Sequence, residues 1–229
     1  MIDDLPDPGQ SRATAPSARG LFKATGKTAS RERQRDPLDF DATPPDATRA
    51  FLAAEGDRLR DFPVLWEPAC GDGAMTREIA AAGHAVLGTD IVQRGAAEFE
   101  LDFFDVFDAP ARAIVTNPPY NRINWRDGRG AWVWHAMETL EIEYMALLLS
   151  WDWPGASGHG PLLRRWPISR AYLCRWKIDF TGEGSPPMRN FWAVWDRQWH
   201  GETVIRYLDR PKPPRKVRRK PDASAQSAA

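Results

Sequence analysis

Between residues 43 and 196 short apolar runs alternate with helix-forming stretches, and several of the runs stop on a polar or acidic residue beside a glycine or proline turn. Val64-Leu65-Trp66-Glu67 ends on a carboxylate, and the turn Cys70-Gly71-Asp72-Gly73-Ala74 then leads into a predicted helix, Met75–Ala82. Ala85–Asp90 is a second strand ending in an acid, Phe99–Phe103 an edge strand, and Arg112–Thr116 a strand running into Asn117-Pro118-Pro119-Tyr120. A helix near Trp132–Leu140 and the strands Met145–Ser150, Ala171–Trp176 and Phe191–Trp195 follow. Upstream, Thr43-Pro44-Pro45 opens a helix over Asp46–Glu55, with prolines at its entry and an acid in its first turn. Strands alternating with helices at this spacing predict an α/β fold, a doubly wound and mostly parallel twisted sheet with helices on both faces. Ligands of such sheets bind at the carboxyl ends of the strands, where the polar residues just named fall.

The 229 residues, 42% of them hydrophobic, suffice for one α/β domain with tails. Mean hydropathy is −0.52, and no run approaches the roughly 20 apolar residues of a membrane helix. The start, MIDDLPDPGQ, lacks the basic and apolar regions of a secretory signal. Two cysteines, Cys70 and Cys174, exclude a disulfide scaffold and an all-cysteine zinc site, and the four histidines are scattered. A cytoplasmic protein without a metal is therefore expected.

The balanced charge is unevenly spread. Of 31 basic and 31 acidic residues, the first 36 positions hold seven and five, and positions 210–229 hold seven and one. The body is left with an excess of acid. Residues 1–36, rich in Ser, Ala, Pro, Gly and charge, are expected to be disordered, as are 211–229; the folded domain is expected over 37–210. Six Lys or Arg between 211 and 220 suit either a solubilising tail or phosphate contact.

Two stretches carry chemistry. Glu67-Pro68-Ala69-Cys70-Gly71-Asp72-Gly73 is a strand, a Gly-x-Gly turn and a helix start, which lets backbone approach a ligand closely. It matches neither the P-loop nor the dinucleotide fingerprint, and a carboxylate before the turn suits a cationic ligand better than a pyrophosphate. In Asn117-Pro118-Pro119-Tyr120 two prolines stiffen an extended backbone. The Asn117 side-chain oxygen and the Pro118 carbonyl can both accept from one exocyclic NH2 group, and Tyr120 offers a ring on which a planar base can stack. Each stretch alone also fits a plain turn; their order along successive strand ends is what sets them apart.

In that order the sequence resembles the S-adenosylmethionine-dependent N6-adenine DNA methyltransferases of the γ order, over roughly Asp41 to Leu208. The resemblance implies a Rossmann-like class I methyltransferase fold, S-adenosyl-L-methionine as cofactor, and DNA as partner with the target adenine flipped out. Thr43 and Pro44, in Thr-Pro-Pro, look like the element that touches the methionine part of the cofactor. Glu67, Pro68, Cys70, Gly71 and Gly73 match the cofactor loop, with the Glu near the cofactor's amino group. Asp90, with Ile91 beside it, matches the ribose-binding acid. Asp102 and Phe103 resemble the pair that reads and stacks the cofactor adenine. Asn117, Pro118, Pro119 and Tyr120 match the catalytic motif, and Phe180 is similar in place to the aromatic that sandwiches the extruded base. The Phe-Thr-Gly-Glu-Gly stretch at 180–184 resembles a compact subgroup met in phages and prophages.

Family members that read long sites carry a separate recognition domain, and none is expected within these 229 residues. Recognition is expected from the tails or from loops 121–130 and 154–167, where Arg122, Arg126, Arg129, Arg164 and Arg165 lie beside Trp125 and Trp166. Interleaved Arg and Trp suit phosphate contact and base stacking, and equally suit surface arginines over buried indoles. Trp132, Trp134, Trp151, Trp153, Trp192 and Trp195 read as core, and Cys70 as packing rather than nucleophile. The same Asn-Pro-Pro-Tyr chemistry serves RNA adenine and protein glutamine methyltransferases, and a silent cofactor- or DNA-binding module is a third reading.

Overall fold

Pro44 and Pro45 preset the helical φ of the first turn of α1 (Pro45–Leu59), and Asp46 complements its positive end. The structure, a computed structural model, describes residues 41–120, 122–123, 130–184, 186 and 188–212. The remaining elements are β1 (Leu65–Glu67), α2 (Ala74–Ala81), β2 (Val86–Asp90), β3 (Phe99–Glu100), β4 (Ala113–Thr116), α3 (Ala131–Trp134), β5 (Tyr144–Ser150), α4 (Gly160–Arg165), β6 (Arg170–Cys174), β7 (Asn190–Asp196) and β8 (Val204–Leu208).

The strands form one eight-stranded sheet in the order β3-β2-β1-β4-β5-β7-β6-β8. Every neighbouring pair is parallel except those made by β7, which runs antiparallel to both β5 and β6. The reversal between β1–β2 and β1–β4 is the topological switch point, and the carboxyl ends of β1, β2, β4 and β5 share one edge. Because β7 is antiparallel, its first residue reaches that same edge: Asn190 pairs with Ser150, the last residue of β5.

Each sheet face is covered. On one, α1 and α2 bring Ala47, Phe51, Leu59, Met75 and Ile79 onto Leu65, Val115, Ala146 and Trp192. On the other, Trp132, Val133, Met137 and Leu162 cover Trp66, Ile114, Leu147 and Trp195. Alternate strand residues therefore feed opposite cores, as a central strand buried on both faces requires. Of the six tryptophans expected in the core, Trp132, Trp153, Trp192 and Trp195 are buried, while Trp134 and Trp151 are half-buried against it.

Several expected boundaries move. The first helix continues past Glu55 to Leu59, because Glu55 faces a buried arginine rather than solvent. The edge strand at Phe99 stops at Glu100, since the Asp102 carboxylate accepts from the Phe104 amide at 3.0 Å and starts a 3-10 turn over Phe103–Asp105. The helix at 131–140 widens after one α-turn into a π-turn, His135–Thr139. Residues 154–167 hold α4 rather than only a loop, and β8 is an added edge strand with Ile205 and Tyr207 exposed. The expected 1–36 tail and most of the 211–229 tail lie outside the described residues, as do Trp125, Arg126 and Arg129. Among the described residues no helix is long and apolar enough to cross a membrane.

Candidate active site

The sheet edge gathers most of the expected site residues. Glu67 ends β1 and is 2% exposed, and its Oε2 has no hydrogen-bond partner. Burial, then the charge of Asp90, pushes the Glu67 carboxyl well above the usual carboxylate range, against a backbone hydrogen bond from Thr76. A buried carboxyl with a vacant oxygen at a ligand-binding edge is an acceptor that lacks a donor or cation.

The following turn is built by backbone bonds. The Cys70 amide donates to the Thr89 carbonyl at 3.0 Å, and the Gly73 amide to the Cys70 carbonyl at 2.8 Å. Gly73, with φ at +80°, sits where a Cβ would come within 2.7 Å of the Ala96 Cβ and 2.9 Å of the Thr76 hydroxyl, so only glycine fits. Pro68, Cys70 and Gly71 are buried in this turn. Burial and the neighbouring acids, Glu67 first, push the Cys70 thiol up to about 12, which keeps it an inert packing group.

Asp90 ends β2 and ties the turn to the second strand. Its Oδ2 accepts from the Gly71 amide at 2.8 Å, and its Oδ1 accepts from the Val92 amide at 3.0 Å and from Arg94 at 3.1 Å. A carboxylate has about four acceptor positions, so among the described residues three are taken and one is open while Arg94 stays paired. Ile91 beside it is exposed.

Asp102 and Phe103 are placed differently from expectation. Asp102 Oδ1 caps the 3-10 turn, and Oδ2 accepts from Arg122 at 2.7 Å. The Phe103 ring is buried, stacked on Trp132 at 4.0 Å and tilted against Trp66. Phe103 therefore works as core, and its ring is not presented to a ligand. Arg122, read as suiting either phosphate contact or a surface arginine over an aromatic ring, pairs with Asp102 and lies over the Phe104 ring.

Asn117 follows β4. Its Nδ2 donates to the Thr43 hydroxyl at 3.1 Å, and its Oδ1 is buried without a partner. Thr43 is itself buried, held just before α1 by Pro44 and Pro45. Pro118 and Pro119 extend the chain, and the Pro119 carbonyl closes the turn by accepting from the amides of Arg122 and Ile123 at 2.8 and 3.0 Å. Tyr120 is 38% exposed, while its hydroxyl accepts from Asn190 Nδ2 at 2.9 Å. Burial pushes the phenol above its usual range, against the hydrogen bond from Asn190, which lowers it.

Phe180 stands on a turn pinned by Asp179, whose carboxylate accepts from the amides of Gly182 at 3.0 Å and Gly184 at 2.8 Å. Its half-buried ring packs on the α1–α2 side of the sheet. Trp166 is flanked by the guanidinium groups of Arg165 and Arg197, each within 4.7 Å of its ring, and its indole donates to Glu138, so this pair is structural. Asn190 was not legible at this edge, because its arrival there depends on the antiparallel direction of β7. The one sequence signal was a polar residue opening the apolar run Phe191–Trp195.

No protein-family model matches the chain, and no curated protein does. Solved structures do. A Listeria monocytogenes protein described as a class I S-adenosylmethionine-dependent methyltransferase superposes with a TM-score of 0.53 at 12% identity, over 72% of this chain and 65% of its own. A Pyrococcus horikoshii protein described as an RNA methyltransferase gives 0.49 at 14% identity, over 70% and 87%. A modification subunit described for a type I restriction enzyme of Vibrio vulnificus YJ016 gives 0.49 at 13%, over 81% and 49%. The chain thus spans 65% of the first structure's length and 49% of the third's. At such identities the likeness is one of fold, and the fold is the Rossmann-like class I methyltransferase fold that the resemblance in sequence implies.

Proposed function

We propose that the chain transfers a methyl group from S-adenosyl-L-methionine to the exocyclic N6 amine of adenine in DNA. The observation that carries this reading is the Asn117 carboxamide: held by Thr43 through its nitrogen, it leaves a buried and unpartnered oxygen beside an exposed tyrosine ring. A planar base bearing an NH2 group satisfies both features at once.

The residues present fit the cofactor. The vacant Glu67 Oε2 suits the amino group of a cation, the remaining acceptor position of Asp90 suits a ribose hydroxyl, and Gly71 and Gly73 bring backbone close to the ligand. Thr43 and Pro44 border the same edge through Asn117. When bound, the cofactor supplies an electrophilic methyl carbon on a sulfonium.

The protein's part is positioning and polarisation. The adenine amine is a poor nucleophile because its lone pair is delocalised into the ring. Accepting its two N–H bonds at Asn117 Oδ1 and the Pro118 carbonyl favours a pyramidal nitrogen whose lone pair is free to attack in line. Asn117 is neutral and takes no proton, so the proton leaves to water after transfer. Extruding the base from a duplex costs a few kcal/mol, partly offset by stacking on Tyr120. The Phe180 turn is the second candidate wall of that pocket. The basic residues of 211–220 are the candidate phosphate contacts.

The test is transfer of labelled methyl from S-adenosylmethionine to unmethylated double- and single-stranded DNA, with RNA and a protein fraction alongside. N6-methyladenine in digested DNA is the expected product. Label in RNA alone or in protein alone transfers the mechanism to that substrate. Cofactor binding without any transfer identifies a silent module.

A further inference from the structure

We infer that Asn190 is a positioning residue that fixes the Tyr120 ring for stacking on the target base, an inference that rests on the methyltransferase reading above. Asn190 opens β7 opposite Ser150 and is fully buried. Its side chain makes one hydrogen bond, from Nδ2 to the Tyr120 hydroxyl at 2.9 Å, and its Oδ1 has no partner. The five residues that follow, Phe191 to Trp195, are all apolar and buried. A buried amide whose oxygen has no partner lowers stability, and an apolar residue would suit the start of this strand better. Positions that break a local rule in this way mark function or strain.

The contact has one evident consequence, which falls on Tyr120. The prolines fix the backbone of the motif but not the χ angles of the tyrosine, whose ring is 38% exposed and stacks on no aromatic ring among the described residues. Left alone, an exposed ring samples several rotamers. Anchored at its hydroxyl to a buried strand, it keeps one orientation. The ordering entropy of stacking is then met before the base arrives. Asn190 acts through Tyr120 and touches neither the amine nor the cofactor loop.

The test is a double-mutant cycle with Asn190→Leu and Tyr120→Phe, read first by steady-state methyl transfer to DNA. Each single change is expected to lower kcat by about 5- to 20-fold, as loss of an ordered stacking platform does, with cofactor KM unchanged. The double variant is expected to be no worse than the weaker single one. The second readout needs no turnover: 3-fluorotyrosine labels the four tyrosines, and the Tyr120 19F resonance, identified by its absence in Tyr120→Phe, is expected to narrow and move toward the free-tyrosine position in Asn190→Leu. Effects that multiply in the double variant, or wild-type kcat in Asn190→Leu with an unmoved resonance, overturn the inference. If Asn190→Leu does not fold, Tyr120→Phe with wild-type kcat overturns it. No methyl transfer by the wild-type protein to any nucleic acid overturns the parent reading, and this inference falls with it whatever the resonance does.

Discussion

Asn117 and Thr43 lie 74 residues apart in the chain and 3.1 Å apart in the fold, joined by a hydrogen bond from the Asn117 side-chain amide to the Thr43 hydroxyl. The contact joins the chain two residues before α1 to the residue after β4, and it commits the amide nitrogen so that the oxygen is the free end. Thr43 thereby has a definite task, orienting the Asn117 carboxamide.

Thr43→Val keeps the shape and removes the hydroxyl. A hydrogen bond of this kind contributes about 1 kcal/mol net, so methyl transfer is expected to fall about 5- to 10-fold, with cofactor affinity changed less than about twofold. Thr43→Ser restores transfer. Single-turnover rates with cofactor titration measure both quantities. A loss confined to cofactor affinity would remove the orienting role. Asn117→Ala, which deletes the acceptor itself, is expected to abolish most turnover and keep cofactor binding.

Glu67 links pH to both stability and binding. Its carboxyl is raised above the ordinary value, so the folded chain holds the proton more tightly than the unfolded one. The stability that this provides is fully present below the unfolded value and is lost as pH rises through the raised folded value. Glu67→Gln removes the penalty, and at neutral pH it should raise Tm, by roughly 2–4 °C per kcal/mol relieved. A cationic ligand favours the ionised form, so in the wild-type protein cofactor binding should release a proton and tighten as pH rises. Glu67→Gln should bind more weakly and without that pH dependence. Melts across pH, with calorimetry in buffers of different ionisation enthalpy, check both. A cofactor affinity flat with pH in the wild-type protein would sink the linkage.

The fold and the local content of the site were legible for different reasons. Glu67 and Asn117 announced themselves because each closes an apolar run directly before a proline, and Asp90 because it is the acid that ends one, which is the pattern of a parallel strand handing over to a loop. Long-range pairings were not legible. Nothing near Asp102 signals that Arg122 will take its Oδ2, and nothing near Phe103 that Trp132 will cover its ring. The direction of β7 was hidden as well, since a run of seven buried residues reads the same both ways. With that direction went Asn190. β8 escaped because an edge strand with its middle exposed lacks a sustained apolar signal.

The basic segment at 211–220 offers up to six phosphate contacts on a chain whose body is acidic. Each contact releases counterions and adds about 0.9 to the slope of log K against log salt on duplex DNA. Deleting 211–229 should weaken DNA binding and reduce that slope by several units, while cofactor affinity is kept. Binding measured by fluorescence anisotropy between 50 and 200 mM salt, a window in which the slope is easily resolved, provides the check. An unchanged slope would assign phosphate contact to the body instead.

The last prediction concerns how α1 is held in register with the sheet. Arg170 on β6 donates to Glu55 of α1 at 2.6 and 2.9 Å and to Asp196 of β7 at 3.0 Å, while Arg58 of α1 grips the other side of Asp196 at 2.9 and 3.0 Å. The hydroxyls of Tyr144 and Tyr172 also donate to Glu55. Glu55, Arg170 and Asp196 are all buried. The network locks the helix whose entry carries Thr43, so its loss reaches the site through Asn117. Removing one partner of a buried ionic set leaves the others uncompensated and costs about 3–5 kcal/mol. Arg170→Met is therefore expected to lower stability by that order in denaturant unfolding, and Glu55→Gln in the same chain to recover part of it. For Asp196, burial raises the carboxyl but the bonds from Arg58 and Arg170 outweigh it, leaving it below its usual range. The stability it contributes is present above the unfolded value and lost as pH falls through the folded one. The gap between wild type and Arg170→Met should accordingly narrow on acidification. A gap that stays constant from neutral pH to pH ~3 would mean that Arg170 contributes packing rather than charge.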